Sequence, residues 1–171
     1  MKDYRLINYG PVVMVSSGDG KKKNIASIAW ATPVSSDPPL VAVAVAKGHY
    51  STKLIQETKE FVINVPSADI VQKVKDCGSV HGDEADKFEK FGLTPAKGKK
   101  VRAPLIKECY AQLECRVVQA PLTGDHVLFI GEVLSSSINE GLLTSNDTVD
   151  VSKVRTLHHL GGDEFATLRK I

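Results

Sequence analysis

The chain has 171 residues, 42% of them hydrophobic and 25% charged, with a formal net charge of +2. That length suits one domain over residues 1–171 with a substantial core, and so small a charge argues against a nucleic-acid partner or an anionic membrane surface. No apolar run approaches the roughly 18–20 residues needed to span a bilayer, and Met1-Lys2-Asp3-Tyr4-Arg5 lacks a secretion-signal core; a cytoplasmic protein without membrane association is expected.

In chain order, Pro11–Ser17 is Val-rich and predicts a strand, and Gly18-Asp19-Gly20 supplies a turn. Lys21-Lys22-Lys23 then sits at a hairpin tip, where a solvated face outweighs a nucleic-acid contact. Ile25–Thr32 predicts a second strand of mostly small residues, with Trp30 the one large side chain after Ile28. Ser35-Ser36-Asp37-Pro38-Pro39 marks Pro33–Pro39 as a loop, and the apolar run Leu40–Ala46 predicts a strand buried on both faces. A short helix follows from Ser51 to Thr58, opened by a hydroxyl residue as N-cap, and Phe61–Val65 is a strand.

Ser67 is expected to cap a helix reaching Cys77, with Gly78 as its C′ residue, and a short helix is expected near Ala85–Phe91. Cys109–Gln119 predicts a long strand, Thr123-Gly124-Asp125 a turn, and His126–Ser136 the hairpin partner. On that strand Cys109 and Cys115 would lie about 20 Å apart, too far for an intrachain disulfide. An odd count of three cysteines points to reduced thiols. Many strands with short helices suggest a mainly β (α+β) fold, a small barrel with helical decorations.

No phosphate loop, complete dinucleotide fingerprint, HExxH or paired CxxC occurs, so neither a metal site nor a protein nucleophile is expected. Two segments carry chemistry. Lys47-Gly48-His49-Tyr50-Ser51-Thr52-Lys53 joins a buried strand to a helix start, where unpaired N–H groups, hydroxyls and lysines suit a phosphate; an ordinary cap with surface lysines is the competing reading. The strand from Asn24 to Thr32 has little bulk, so a flat ring could approach its backbone, with Trp30 as a wall or simply as core.

Together these segments resemble the flavin-reductase-like, FMN-binding split-barrel family, of flavoredoxin-like type. The resemblance runs from Leu6 to Gly162. It rests on Gly10-Pro11-Val12-Val13, Asn24 through Trp30 with Thr32-Pro33-Val34-Ser35, Asp37-Pro38-Pro39-Leu40-Val41, the Ser51-Thr52 helix start and Glu60-Phe61-Val62-Ile63-Asn64-Val65-Pro66. Asp86-Lys87-Phe88 and Leu157-His158-His159-Leu160-Gly161-Gly162 extend it. It implies a split β-barrel of Greek-key type with short peripheral helices, FMN as cofactor and a homodimer.

It further implies that Asn24, Ile28, Ala29, Trp30, Ala31 and Thr32 line the isoalloxazine, that Ser51 and Thr52 hold the phosphate beside Lys47 and Tyr50, and that Lys87 reaches ring or phosphate. His126 and His158 or His159 would close the pocket; adjacent histidines on a strand face opposite ways, so one of the last pair is expected there. His81-Gly82 and His159 depart from the usual pattern. The implied activity passes electrons from NAD(P)H or a redox-protein donor to flavin, ferric iron or another acceptor. Lys87 or a charged histidine would stabilise the reduced ring. The alternatives are a flavoredoxin-type electron carrier without nicotinamide activity, and a flavin-free binding module using Lys21-Lys22-Lys23 and Lys97, Lys99, Lys100 and Arg102.

Overall fold

A computed structural model describes residues 3–171. The strands are β1 (Val13–Gly18), β2 (Lys23–Ile28), β3 (Ala31–Ser36), β4 (Pro39–Ala46), β5 (Glu60–Val65), β6 (Pro95–Ala96), β7 (Leu105–Ile106), β8 (Ala111–Gln119), β9 (Leu122–Thr123), β10 (His126–Ile138), β11 (His158–Gly161) and β12 (Glu164–Ala166). Three α-helices decorate them: α1 (Tyr50–Thr58), α2 (Val71–Ser79) and α3 (Lys87–Lys90). The main sheet is antiparallel with the order β2-β1-β5-β8-β10-β4-β3 and β9 beside β10. This is the mainly β split barrel with short peripheral helices that the resemblance implies.

The split arises where sequence periodicity is silent. The expected strand Ile25–Thr32 is two strands, because the chain leaves one edge of the sheet at Ile28 and enters the other at Ala31. Ala29 and Trp30 bridge the gap, and the Trp30 carbonyl is tied to β4 by the Ala44 N–H at 2.9 Å. The expected loop Pro33–Pro39 is likewise corrected: β3 runs through Pro33, and only Asp37 and Pro38 turn. Proline is tolerated there because β3 is an edge strand and has no second neighbour to donate to.

Every residue of β1 is buried, and its two faces feed two cores. Val13 and Val15 point into the barrel with Val43, Val45, Ile55, Phe61, Cys115, Val127 and Phe129. Val12 and Met14 point outward, under α2 and α3, with Ile25, Val74, Cys77, Phe88 and Cys109. Cys109 therefore precedes β8 and packs in a different core from Cys115; all three cysteines are free.

Helix ends depart from the sequence reading in two places. His49, not a hydroxyl residue, is the N-cap of α1, and Ser51 and Thr52 lie inside its first turn. Ser67 caps a 3-10 turn, Ala68–Ile70, and α2 continues through Gly78 to Ser79 because Gly78 keeps helical geometry and Val80 turns extended. Among the described residues no helix is long and apolar enough to cross a membrane.

Gly131 on β10 is a tight spot: a Cβ there would come within 2.6 Å of the Phe61 ring and 3.0 Å of Cys115 Cβ. Both neighbours are fully buried. Gly131→Ala is expected to destabilise the fold by about 1–3 kcal/mol, read as a lowered urea midpoint with unchanged slope.

Candidate functional site

Three adjoining cavities run along the free edge of β2. The first, of about 160 Å³, is lined by Asn24, Ser27, Tyr50, Ser51, His81 and Lys87 among others. The second, of about 260 Å³, is lined by Arg5, Asn8, Ile28, Ala29, Trp30, His49, His126 and His159 among others. The third, of about 370 Å³, lies between α2 and the β11–β12 ribbon and includes Val74, Lys75, His159, Asp163 and Phe165. Ser27 lines all three, so they form one trough along the strand.

The backbone of β2 faces this trough because the strand has a neighbour, β1, on one side only. The Ile25 carbonyl accepts from Lys87 Nζ at 2.9 Å. Antiparallel pairing alternates inward and outward peptide groups, so Ser27, two residues on, turns its own N–H and C=O to the same open side. The Ser27 hydroxyl is occupied, donating to the Val74 carbonyl at 2.6 Å.

Lys87 is 4% exposed, and its ammonium donates to two carbonyls, of Ile25 at 2.9 Å and Cys77 at 2.6 Å. Among the described residues no carboxylate pairs with it: the neighbouring Asp86 instead meets Lys23 Nζ at 2.7 Å and caps α3 through Phe88 and Glu89 N–H. No Asp or Glu lines the smallest cavity. Burial pushes the Lys87 ammonium below the ordinary lysine range. His49 is held below its usual value by burial and by His81, Lys87 and His126.

Asn24 Nδ2 donates to Ser51 Oγ at 2.9 Å, and Ser17 Oγ donates to the same atom at 3.4 Å. Asn24 Oδ1 is buried without a partner. A half-turn of the carboxamide would let Ser51 donate to Oδ1 and leave the NH2 group unpartnered instead. Gly82 allows this arrangement, since a Cβ there would fall 2.2–2.4 Å from the Asn24 amide. Thr52 is less free: its hydroxyl donates to the Ala46 carbonyl at 2.8 Å.

In the middle cavity Trp30, 40% exposed, packs edge-on to Tyr4 with centroids 5.3 Å apart and tilts against His126 at 4.7 Å. His126 Nδ1 lies 2.6 Å from Asp125 Oδ1. His159 also lines this cavity; His158 does not, and its Nδ1 lies 3.4 Å from the Tyr9 carbonyl. The trough thus gathers Asn24, Ile28, Ala29, Trp30, Tyr50, Ser51, Lys87, His126 and His159. Thr52 is buried just behind it, and Ala31 packs against the barrel core.

Thr32 and Lys47 are not brought in. Thr32 is exposed on the edge strand β3, and Lys47 is exposed at the end of β4, its N–H held by the Asp125 carbonyl. Sequence reasoning missed Asn8, which is buried and accepts from Trp30 Nε1 at 2.6 Å. No periodicity or motif marks it.

A family model described as the flavin reductase like domain matches residues 6–157. An uncharacterised protein of Archaeoglobus fulgidus is 38% identical over 147 residues, which cover 86% of this chain and 82% of that one. Flavoredoxin of Desulfovibrio vulgaris (Miyazaki F) superposes with a TM-score of 0.86 at 29% identity, covering 95% of this chain and 88% of the other. An FMN-binding domain of a flavin reductases-like enzyme from Shewanella baltica superposes with a TM-score of 0.84 at 27% identity, over 98% and 91%.

Lys87 donates to the Cys77 carbonyl, and the Cys77 thiol is itself buried. Burial raises Cys77 to about 11, with Lys87 opposing the rise only in part. At neutral pH the folded protein is expected to leave all three buried thiols unreactive toward a disulfide reagent, and to release three equivalents once unfolded in denaturant.

Proposed function

This chain belongs to the flavin reductase-like family, and on that premise we propose that it is an FMN-binding oxidoreductase built as one split-barrel domain. In this reading the phosphate occupies the Asn24–Ser51–Lys87 cavity and the isoalloxazine lies along Ser27–Trp30. The observation that carries it is the Lys87 ammonium, buried and lining a cavity without a carboxylate partner among the described residues. A buried cation without a counter-charge costs several kcal/mol, and a bound anion offsets that cost.

The residues fit the group. Lys87 has a third proton beyond the two given to carbonyls, the first turn of α1 supplies N–H groups, and Asn24 keeps one polar atom unpartnered. The free backbone edge at Ser27 offers a donor and an acceptor to a planar heterocycle. When bound, FMN supplies the redox chemistry, and the protein's part is to bind and orient it. NAD(P)H or a redox-protein donor is the electron source in this reading, and flavin, ferric iron or another acceptor the sink. A second reading, an electron carrier without nicotinamide activity, is favoured by the similarity to flavoredoxin.

We further infer a homodimer acting in the cytoplasm. Leu6, Ile7 and Tyr9 are 64–78% exposed, and Leu160 is 48% exposed on the ribbon that the Gly10 carbonyl joins through His159 N–H. So much apolar surface beside the middle cavity suits burial against a second copy. Sedimentation equilibrium is expected to give twice the chain mass, and Ile7→Lys with Leu160→Lys to shift it toward one chain.

The purified protein is expected to be yellow, or to become so with FMN. Lys87→Met is expected to weaken FMN binding roughly 10- to 100-fold, measured by flavin fluorescence quenching. A folded variant with unchanged affinity would remove Lys87 from the phosphate site. Rapid anaerobic bleaching by NADH or NADPH favours the reductase; reduction only by a redox protein favours the carrier.

A further inference from the structure

Asn8 ties together two residues of the middle cavity that come from opposite ends of the chain. Its Oδ1 accepts from Trp30 Nε1 at 2.6 Å, and its Nδ2 lies 3.4 Å from His159 Nδ1. His159 Nε2 in turn lies 2.9 Å from the Gly162 carbonyl oxygen. An indole N–H can only donate and a backbone carbonyl can only accept, so the direction of every bond in this row is fixed from both ends. The indole requires the amide oxygen to face Trp30, which leaves only the amide NH2 for His159. Nδ1 must then be a bare lone pair, and the single ring proton must sit on Nε2, where Gly162 receives it.

We propose that Asn8 is a positioning residue that holds Trp30 and His159 as walls of the ring cavity and fixes His159 as the neutral Nε2–H tautomer. The function of this lock rests on the reading of the trough as a flavin site; its existence does not. Other packing supports the same placement. Tyr4 backs Trp30 edge-on, and Phe165 stacks on the His159 ring with centroids 5.2 Å apart. An imidazolium would oppose its Nδ1–H to the Asn8 NH2, two donors face to face. Turning the carboxamide over would cure that contact and break the one to Trp30. His159 therefore has neither a free proton nor a free lone pair for a ligand, and serves as an oriented surface. The charged and titratable groups nearby, Arg5, His49 and His126 in the same cavity and Lys75 and Asp163 in the adjoining one, do not enter the row.

The test is nitrogen-15 NMR on the full chain without flavin, with FMN affinity measured separately. Trp30 is the sole tryptophan, so one indole cross-peak reports its hydrogen bond. In the parent protein His159 is expected as the Nε2–H tautomer. Asn8→Leu is expected to shift the indole peak toward a free N–H, mix the His159 tautomers and weaken FMN roughly five- to tenfold. Asn8→Asp discriminates most sharply. It still accepts from Trp30 but offers His159 an acceptor, so the indole peak stays and Nδ1 gains a proton. An Nδ1–H tautomer in the parent, or an unchanged His159 tautomer in Asn8→Asp, overturns the lock. A parent protein that binds no FMN while the tautomer results hold would overturn the flavin reading and leave the lock standing.

Discussion

A lysine ammonium is held inside the protein by two peptide carbonyls, with no acid among the described residues to balance it, and the site is arranged around it. The fold could have paired Lys87 with its neighbour Asp86, but Asp86 is committed to capping α3 and to Lys23 on the adjoining hairpin. Phe88, 2% exposed in the outer core, anchors α3 and turns Lys87 inward. The Ile25 carbonyl is available only because β2 is an edge strand, and the Cys77 carbonyl only because α2 ends two residues later. One free edge, one helix end and one short capped helix therefore meet at a single positive point. Such a point costs stability in the empty fold and rewards an anion.

The same free edge explains why the site is long. The barrel does not close between β2 and β4; the chain crosses the gap through Ala29 and Trp30 and continues as β3 on the far side. An edge strand is usually blunted by charge or covered. Here it is flanked by α2, the β11–β12 ribbon and the 3-10 turn Asp3–Ile7, which stand off far enough to leave three linked cavities. Small side chains keep the floor low, and Gly82 keeps the Asn24 amide from being displaced. The end at Asn24, Ser51 and Lys87 is polar and basic, while Ile28, Ala29, Val74 and Phe165 flank the trough farther along. That division matches a ligand with one charged terminus and one flat, largely apolar body.

Much of this was legible in the chain. Alternation along residues 127–131 marks the buried face of β10, and the apolar run after Leu40 marks β4, because burial acts directly on those patterns. The break at Ala29–Trp30 was not legible: the run of small, mostly apolar residues continues across it, and only the return of the chain to the opposite sheet edge reveals it. Pro33 read as a loop residue because a proline is unfavourable in a paired strand, and nothing local says that β3 pairs on one side only. Lys87 sits among Asp86, Glu89 and Lys90, where the residues alone weigh a solvated lysine and a ligand contact equally; its burial depends on where α3 docks, a long-range fact. Asn8 is a single amide in an unpatterned segment, and its partners lie 22 and 151 residues away. Thr32 and Lys47 have residue types that suit the site, and the structure sets both on exposed backbone outside the trough.

The placement of charge bears on whether Lys87 serves the ring or the phosphate, the two places the resemblance left open to it. Lys87 belongs to the cavity of Asn24 and Ser51, whereas Trp30, His126 and His159 belong to the next one along the strand. The Lys87 ammonium is held by the Ile25 and Cys77 carbonyls, and it lines the first cavity but not the second. His159 is spent on Asn8 and Gly162. Burial and neighbouring cations disfavour the charged form of His49. That leaves Arg5 and His126, and His126 Nδ1 lies 2.6 Å from Asp125 Oδ1. The middle cavity is therefore built from Trp30 and His159, both held by Asn8, and a free backbone edge, while the buried ammonium of Lys87 stands in the neighbouring one.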